Sequence, residues 1–306
     1  MNAPLLVHVG YHKTGTTWLQ TGLFRGPGFA APWSSTTIRE ALVAPTAFTF
    51  DATATAAVFA LGRDEAVAAG RVPVLSDERL SGSPHAGGHD NAAVAARLAA
   101  AFPDAHVLVV VREQQRAILS TYRQYVRDGG GATLGRYLAP RNPYEVPGFR
   151  WEHYDYHHLV GHYRRLFGDR LLVLAYEELA RDPLAFAARV ARFVDVEPPT
   201  APPAGERYPS LSAFTLVLKR PFNRLFVRNT LSPAARFYVK DHERRFERIE
   251  QFVPAFLSRP LERRWRAELA ALVGERYAAS NREAAAMTGL DLEALGYPLA
   301  AGDGDG

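Results

Sequence analysis

Leu5-Leu6-Val7-His8-Val9-Gly10-Tyr11-His12-Lys13-Thr14-Gly15-Thr16-Thr17-Trp18-Leu19-Gln20 is the stretch from which the rest of the chain can be read. Leu5, Leu6, Val7 and Val9 make a short apolar run of the kind that forms a buried strand. Gly10 ends that run, Gly15 follows five residues later, and Trp18, Leu19 and Leu23 open a helix-like apolar spacing. A strand, a tight loop and a helix start form the layout of an oxyanion cradle. Backbone N–H groups of such a loop point inward, and the helix dipole adds positive potential at its start. Lys13 supplies the full charge, and Thr14, Thr16 and Thr17 the neutral donors. The stretch predicts a site for a phosphate or a sulfate-bearing nucleotide.

Outside it, the composition sets bounds. A chain of 306 residues, 47% hydrophobic and 22% charged, can bury a substantial core in one large domain or one domain with a cap. Cysteine is absent, which excludes disulfides and thiolate metal sites and points to a reducing, cytoplasmic setting. The apolar run at the start is too short for a signal segment, and no run of membrane-spanning length follows. The net charge of +4 is unevenly spread: from Lys219 to Arg248 there are nine Lys or Arg against three Asp or Glu. That excess reads either as a solvated helix face or as a surface for an anionic substrate. Nucleic acid is not expected, because aromatic interleaving and a reader motif are missing.

Along the chain, strands and helices alternate. Val72 to Leu75 reads as a second strand, ending in the polar cluster Ser76-Asp77-Glu78-Arg79. A glycine-rich loop with His85 and His89 follows, and Asn91 is placed to cap a helix reaching about Ala101. Val107 to Val111 is a continuous apolar run, as expected of a parallel strand covered on both faces. Arg112 ends it, and a helix is predicted from Gln114 to Arg127. Residues 154–167 read as a helix, 171–175 as a strand and 183–194 as a helix, with a last helix from about Leu261 to Ala279. Residues 129–150 and 198–212 read as long loops, 213–298 as a helical and basic part, and 299–306 as a disordered tail. The pattern predicts an α/β fold, a three-layer parallel sheet flanked by helices in a single domain over 1–298. Ligands of such sheets bind beyond the carboxyl ends of the strands, which groups the loop after Gly10, the cluster at Ser76 and the residues from Arg112 onward.

The first loop departs from a Walker A motif. Gly10 and Gly15 have its spacing, but Thr16 stands where the lysine belongs, and the only lysine, Lys13, lies inside the loop. The usual arrangement for magnesium and a γ-phosphate is therefore missing. Tyr11-His12-Lys13-Thr14-Gly15-Thr16-Thr17-Trp18 instead resembles the 5′-phosphosulfate loop of sulfotransferases that use 3′-phosphoadenosine 5′-phosphosulfate, whose usual form is Tyr-Pro-Lys-Ser-Gly-Thr-Thr-Trp. His12 and Thr14 are this chain's departures; Thr14 keeps the hydroxyl. The second signature of that family is a strand-end arginine with a serine eight residues later, matched by Arg112 and Ser120. YEELARDP at 176–183 and the ending at 280–298 resemble recurring segments of bacterial members.

The resemblance implies a sulfotransferase fold of the P-loop type, with 3′-phosphoadenosine 5′-phosphosulfate as donor, its bisphosphate as product and no metal. It assigns the cofactor to His12, Lys13, Thr14, Gly15, Thr16, Thr17 and Trp18, with Lys13 on the bridging oxygen, Thr16 and Thr17 on the 5′-phosphate and Trp18 on the adenine. Arg112 and Ser120 would take the 3′-phosphate, with Arg207 completing that pocket. The acceptor is a small molecule or glycan presenting a hydroxyl or amine, and it needs a base. Glu78 at the rigid end of the second strand is the candidate, with His85 and His89 as alternatives. The plainer reading pairs Glu78 with a neighbouring arginine. A kinase-like enzyme using ATP and magnesium and a non-catalytic nucleotide- or glycan-binding relative are the competing classes.

Overall fold

The computed structural model describes residues 3–139, 148–206, 211–233 and 235–299. Its strands are β1 (Leu6–Gly10), β2 (Phe29–Ala30), β3 (Val72–Ser76), β4 (His106–Val111) and β5 (Leu171–Ala175). Its helices are α1 (Thr16–Thr21), α2 (Ser35–Ile38), α3 (Ala52–Ala68), α4 (Asn91–Ala101), α5 (Gln114–Arg127), α6 (Leu134–Leu138), α7 (Tyr156–Phe167), α8 (Tyr176–Arg181), α9 (Pro183–Phe193), α10 (Ala213–Phe226), α11 (His242–Glu250), α12 (Ala255–Val273) and α13 (Ala278–Thr288).

The strands form one sheet in the order β2-β3-β1-β4-β5, and every pair is parallel. In this order β1 lies at the centre, with Leu6 beside Val74 on one flank and beside His106 on the other. The apolar runs explain why the sheet is covered twice. Leu6, Val74, Leu108, Val110 and Leu174 pack with Trp18, Leu19, Phe24, Leu179 and Phe186 on one face, mixing α1, α8 and α9 into a single cluster. The alternate residues Val107, Val109 and Val111 turn to the other face, where α7 packs on β4 and β5 and α3 on β3. Burial of these apolar residues on both faces stabilises the sheet, at about 25 cal/mol for each Å² removed from water.

The chain divides into two compact units. Unit 1 comprises Met1–Glu113, Trp151–Arg207 and Tyr277–Gly306 and holds the whole sheet. Unit 2 comprises Gln114–Arg150 and Tyr208–Arg276 and is helical, containing α5, α6, α10, α11 and α12. Inside unit 2 the basic stretch is partly consumed by packing. Lys219 is fully buried over the Phe246 ring at 4.6 Å, with its Nζ 2.8 Å from His242 Nδ1. Arg127, from α5, takes Glu247 of the same stretch at 2.9 Å.

Three local expectations need correcting. The helix expected over 261–279 is two helices, because Gly274 at φ +48 closes α12 and the chain restarts at Ala278. That α12 starts at Ala255, behind Pro254, and carries Pro260 in its second turn. Asp90, not Asn91, occupies the cap position of α4, and its carboxylate is engaged by Arg79 instead. The two-residue β2 is too short to leave any periodic signal in the sequence. No helix among the described residues is long and apolar enough to cross a membrane.

Candidate active site

The loop after β1 is held in a strained shape from several sides. Lys13 sits at φ 70 and Gly15 at φ 90, both in the left-handed region. For lysine that conformation costs about 1–2 kcal/mol, which the surrounding bonds must offset. The Thr14 hydroxyl, fully buried, donates to the Tyr11 carbonyl at 2.5 Å. Arg112 Nη1 donates to the Lys13 carbonyl at 2.9 Å, so the β4 end clamps the β1 loop. A side chain on Gly15 would stand 2.6 Å from Leu179 Cδ2, and one on Gly10 would stand 2.6 Å from Thr16 Oγ1. Both glycines are therefore required by close approach as well as, for Gly15, by backbone angle. Helix α1 has only six residues, so its dipole adds little; the loop's N–H groups and Lys13 carry the positive character.

Atoms of this loop also lack protein partners. Thr16 Oγ1, His12 Nδ1 and Arg112 Nε are buried without a hydrogen bond among the described residues. Buried polar atoms are rarely left so, and donors waiting at a helix start suit an anion. These residues fit a phosphate or phosphosulfate group. Trp18 is placed differently from a ring open to a ligand: it is 5% exposed, sits edge-on to Phe186 and is covered by the Gly205 backbone. Thr17 is half-buried, and its carbonyl accepts from the Thr21 hydroxyl.

Beside the loop, the end of β3 turns into a short 3-10 helix, Glu78–Ser81. Ser81 Oγ donates to the Gly10 carbonyl at 3.1 Å, which fastens this turn to the start of the loop. Asp77 is fully buried; its carboxylate accepts from Arg39 Nε at 3.0 Å and from the Arg79 backbone N–H at 2.8 Å. Glu78 Oε1 accepts from Arg39 Nη2 at 3.2 Å, and its side chain keeps 32% exposure. Burial, and then the neighbouring Asp77 charge, push the Glu78 carboxyl above its ordinary value, while Arg39 and Arg79 oppose the shift. A half-open carboxylate with a raised pKa is the chemistry of a proton acceptor.

The histidines divide sharply. Burial holds His12, His85 and His153 each below the ordinary imidazole value, His85 and His153 at about 4, and the charges of His85 and His153 lower His12 further. His153 is wedged between Tyr11, 5.0 Å away, and the Gly88 backbone, where a side chain would stand 2.2 Å from its Nδ1. His89 is exposed, with Nδ1 3.2 Å from the Ala86 carbonyl. His157 faces Ser280 at 2.8 Å on α13, away from this group.

On the β4 side, Arg112 also lays its guanidinium over the Tyr176 ring at 4.5 Å. The Tyr156 hydroxyl donates to the Arg112 carbonyl at 2.5 Å. Glu177 accepts from the Glu113 N–H at 3.2 Å and from the Tyr297 hydroxyl at 2.9 Å, which joins YEELARDP to the ending of the chain. Ser120 is half-buried on α5, in unit 2. Arg207 lies outside the described residues. The sequence gives no role to Arg39, Tyr11 or Tyr176. Their partners lie tens of residues away, so no local motif signals them; only Tyr11 stands inside the quoted loop.

Residues 4–200 match the family model described as "Sulfotransferase family". No curated protein sequence matches the chain. Among solved structures, a sulfotransferase from Alicyclobacillus acidocaldarius is similar with a TM-score of 0.50 at 22% identity, covering 73% of this chain and 93% of that one. A sulfotransferase domain from the curacin biosynthetic pathway aligns with a TM-score of 0.44 at 17% identity, over 65% of this chain and 76% of that one.

Proposed function

The chain belongs to the sulfotransferase family, and from that premise we propose that it moves a sulfuryl group from 3′-phosphoadenosine 5′-phosphosulfate to the hydroxyl or amine of a small molecule or glycan in the cytoplasm. The observation that carries this is the loop itself: a left-handed Lys13, clamped by Arg112, among buried polar atoms with no hydrogen-bond partner among the described residues. When bound, the donor supplies an activated sulfuryl group and a phosphate as leaving group. Lys13, Thr16 and Thr17 would hold that phosphate, and the Lys13 ammonium would offset its negative charge. Arg112, with Ser120 and Arg207, is assigned the 3′-phosphate. Glu78 would take the proton of the acceptor, with its carboxylate held by Arg39 Nη2. No metal is assigned, because Thr16 stands where the lysine of a magnesium-nucleotide loop belongs.

The test is calorimetric titration with adenosine 3′,5′-bisphosphate, with and without chelator, followed by transfer of labelled sulfur to panels of sugars and phenols. Binding unaffected by chelator is expected. Absence of binding, or a thermal shift given by ATP with magnesium alone, defeats the assignment.

A further inference from the structure

The reaction above leaves the basic stretch of unit 2 without a task. Of its nine Lys and Arg, from Lys219 to Arg248, Lys219 is buried and Arg220 half-buried, and the other seven are exposed. The acids of the stretch do little to cancel them. Glu243 and Glu247 lie 3.9 and 2.9 Å from Arg127 of α5, and Asp241 is the remaining acid.

Large apolar side chains stand exposed among these cations, and packing holds them there. Phe237 and Tyr238 are 57% and 69% exposed, between Arg236 and Lys240. Their segment is fastened to the end of α10: the Phe237 and Val239 N–H groups donate to the carbonyls of Leu225 and Phe226, each at 2.9 Å. A ladder of rings runs behind it. Phe237 stacks on Phe226 at 5.6 Å, Phe226 meets Phe222 at 5.0 Å, and Phe222 meets Phe246 of α11 at 5.3 Å. Leu218 and Leu225 lie two turns apart on α10, so they share one side of that helix, and both are exposed. Ile249, one turn beyond Phe246, and Phe252 are exposed as well. Single exposed apolar residues need no explanation; a group of them set among seven cations does.

The composition of the face selects its partner. A second copy of this chain, docked face to face, would oppose cation to cation. A nucleic acid would neutralise the arginines and stack on the rings, but no base stacks on Leu218, Leu225 or Ile249. An anionic bilayer satisfies both halves of the pattern. Its headgroup phosphates draw the cations, and the rings and aliphatic side chains enter the boundary between headgroups and acyl chains. Attachment of this kind needs no spanning helix, and the described residues hold none.

We propose that this face of unit 2, centred on residues 236–240, is a docking surface for an anionic phospholipid membrane, with Phe237 and Tyr238 as the inserting side chains. The attachment is independent of which nucleotide the loop of unit 1 holds.

The first test is co-sedimentation of the full chain with vesicles of phosphatidylcholine, alone or mixed in equal parts with phosphatidylglycerol. Binding to the anionic vesicles only is expected, falling as salt is raised. Arg236→Ala with Lys240→Ala should weaken it about twentyfold, at about fivefold for each cation near such a surface. Phe237→Ser with Tyr238→Ser leaves the charge unchanged and should weaken it about tenfold. Failure to bind anionic vesicles, or a serine variant that binds as tightly as the unmodified protein, overturns the proposal. The second test does not depend on a weakened variant. The chain has no cysteine, so Tyr238→Cys carries an environment-sensitive dye at one place, with the fully exposed Phe48→Cys of unit 1 as comparison. On anionic vesicles the dye at 238 should shift to the blue and be quenched from within the lipid, and the dye at 48 should do neither. An unshifted dye at 238 on bound protein, or equal shifts at both positions, overturns the proposal.

Discussion

The ends of β1 and β3 leave the same edge of the sheet on neighbouring strands and carry opposite chemistry. After β1 the backbone is bent into left-handed geometry at Lys13 and Gly15, and hydroxyls and N–H groups gather around one lysine. After β3 the turn presents Asp77 and Glu78, both gripped by Arg39. The loop stores strain, and Thr16 Oγ1 in it and Arg112 Nε beside it have no hydrogen-bond partner among the described residues; the turn is held by ion pairs and keeps only part of Glu78 open. One end is shaped to receive an anion, the other to hold a carboxylate ready for a proton. Ser81 Oγ links the two, lying 3.1 Å from the Gly10 carbonyl and 2.8 Å from the Glu78 carbonyl.

The sharpest way to break this division is to remove one charge from each side. Glu78→Gln should lower turnover by about 10²–10⁴-fold while nucleotide affinity stays within a factor of two. Lys13→Ala should lower turnover by about 10²–10³-fold and also weaken nucleotide binding. Steady-state kinetics with parallel calorimetry separates the two, and equal losses of affinity would erase the distinction. Next in size is Gly15→Ala, which meets both a φ of 90 and the Leu179 side chain. It should cost about 1–3 kcal/mol in chemical denaturation, with nucleotide binding lost ahead of the global fold.

Acid should act on the two sides differently. The rate should rise with pH through the raised Glu78 value, and Glu78→Gln should abolish that limb. Stability has its own window. Folded His85 and His153 titrate at about 4 against an ordinary 6.5, so between those values the unfolded chain binds more protons. Stability should therefore be fully present above about 6.5 and fall as pH drops toward 4, and His153→Phe should flatten the midpoint temperature over that range. The smallest effect is expected from Tyr297→Phe, which removes one hydrogen bond to Glu177. A loss of about 1 kcal/mol, read as a shift of a few degrees at most, with kinetics unchanged, would confine that bond to a structural role.

Much of this was visible in one dimension. The runs Val107 to Val111 and Gln114 to Arg127 announce β4 and α5, because an unbroken apolar run and a helical period are local properties. The loop was legible because its glycines and lysine lie within six residues. The setting of Glu78 was not: the arginine that grips it is 39 residues away, on a segment whose prolines and alanines gave no sign of a partner. The same holds for His153 against Tyr11, and for Trp18, whose burial follows from Gly205 far along the chain. Local chemistry names the groups; packing decides which of them keep a free face.

Unit 1 is assembled from three separated stretches, and Tyr297 brings the last of them to the β4–β5 edge through Glu177. A ribosome adds about 5–20 residues each second, so Lys13 emerges well before the residues that complete its unit. All of unit 2's sequence is made in between. The loop's own clamps, Ser81 and Arg112, come before unit 2's sequence, whereas the Tyr297 contact with Glu177 comes after it. Such long-range closure makes for slow folding.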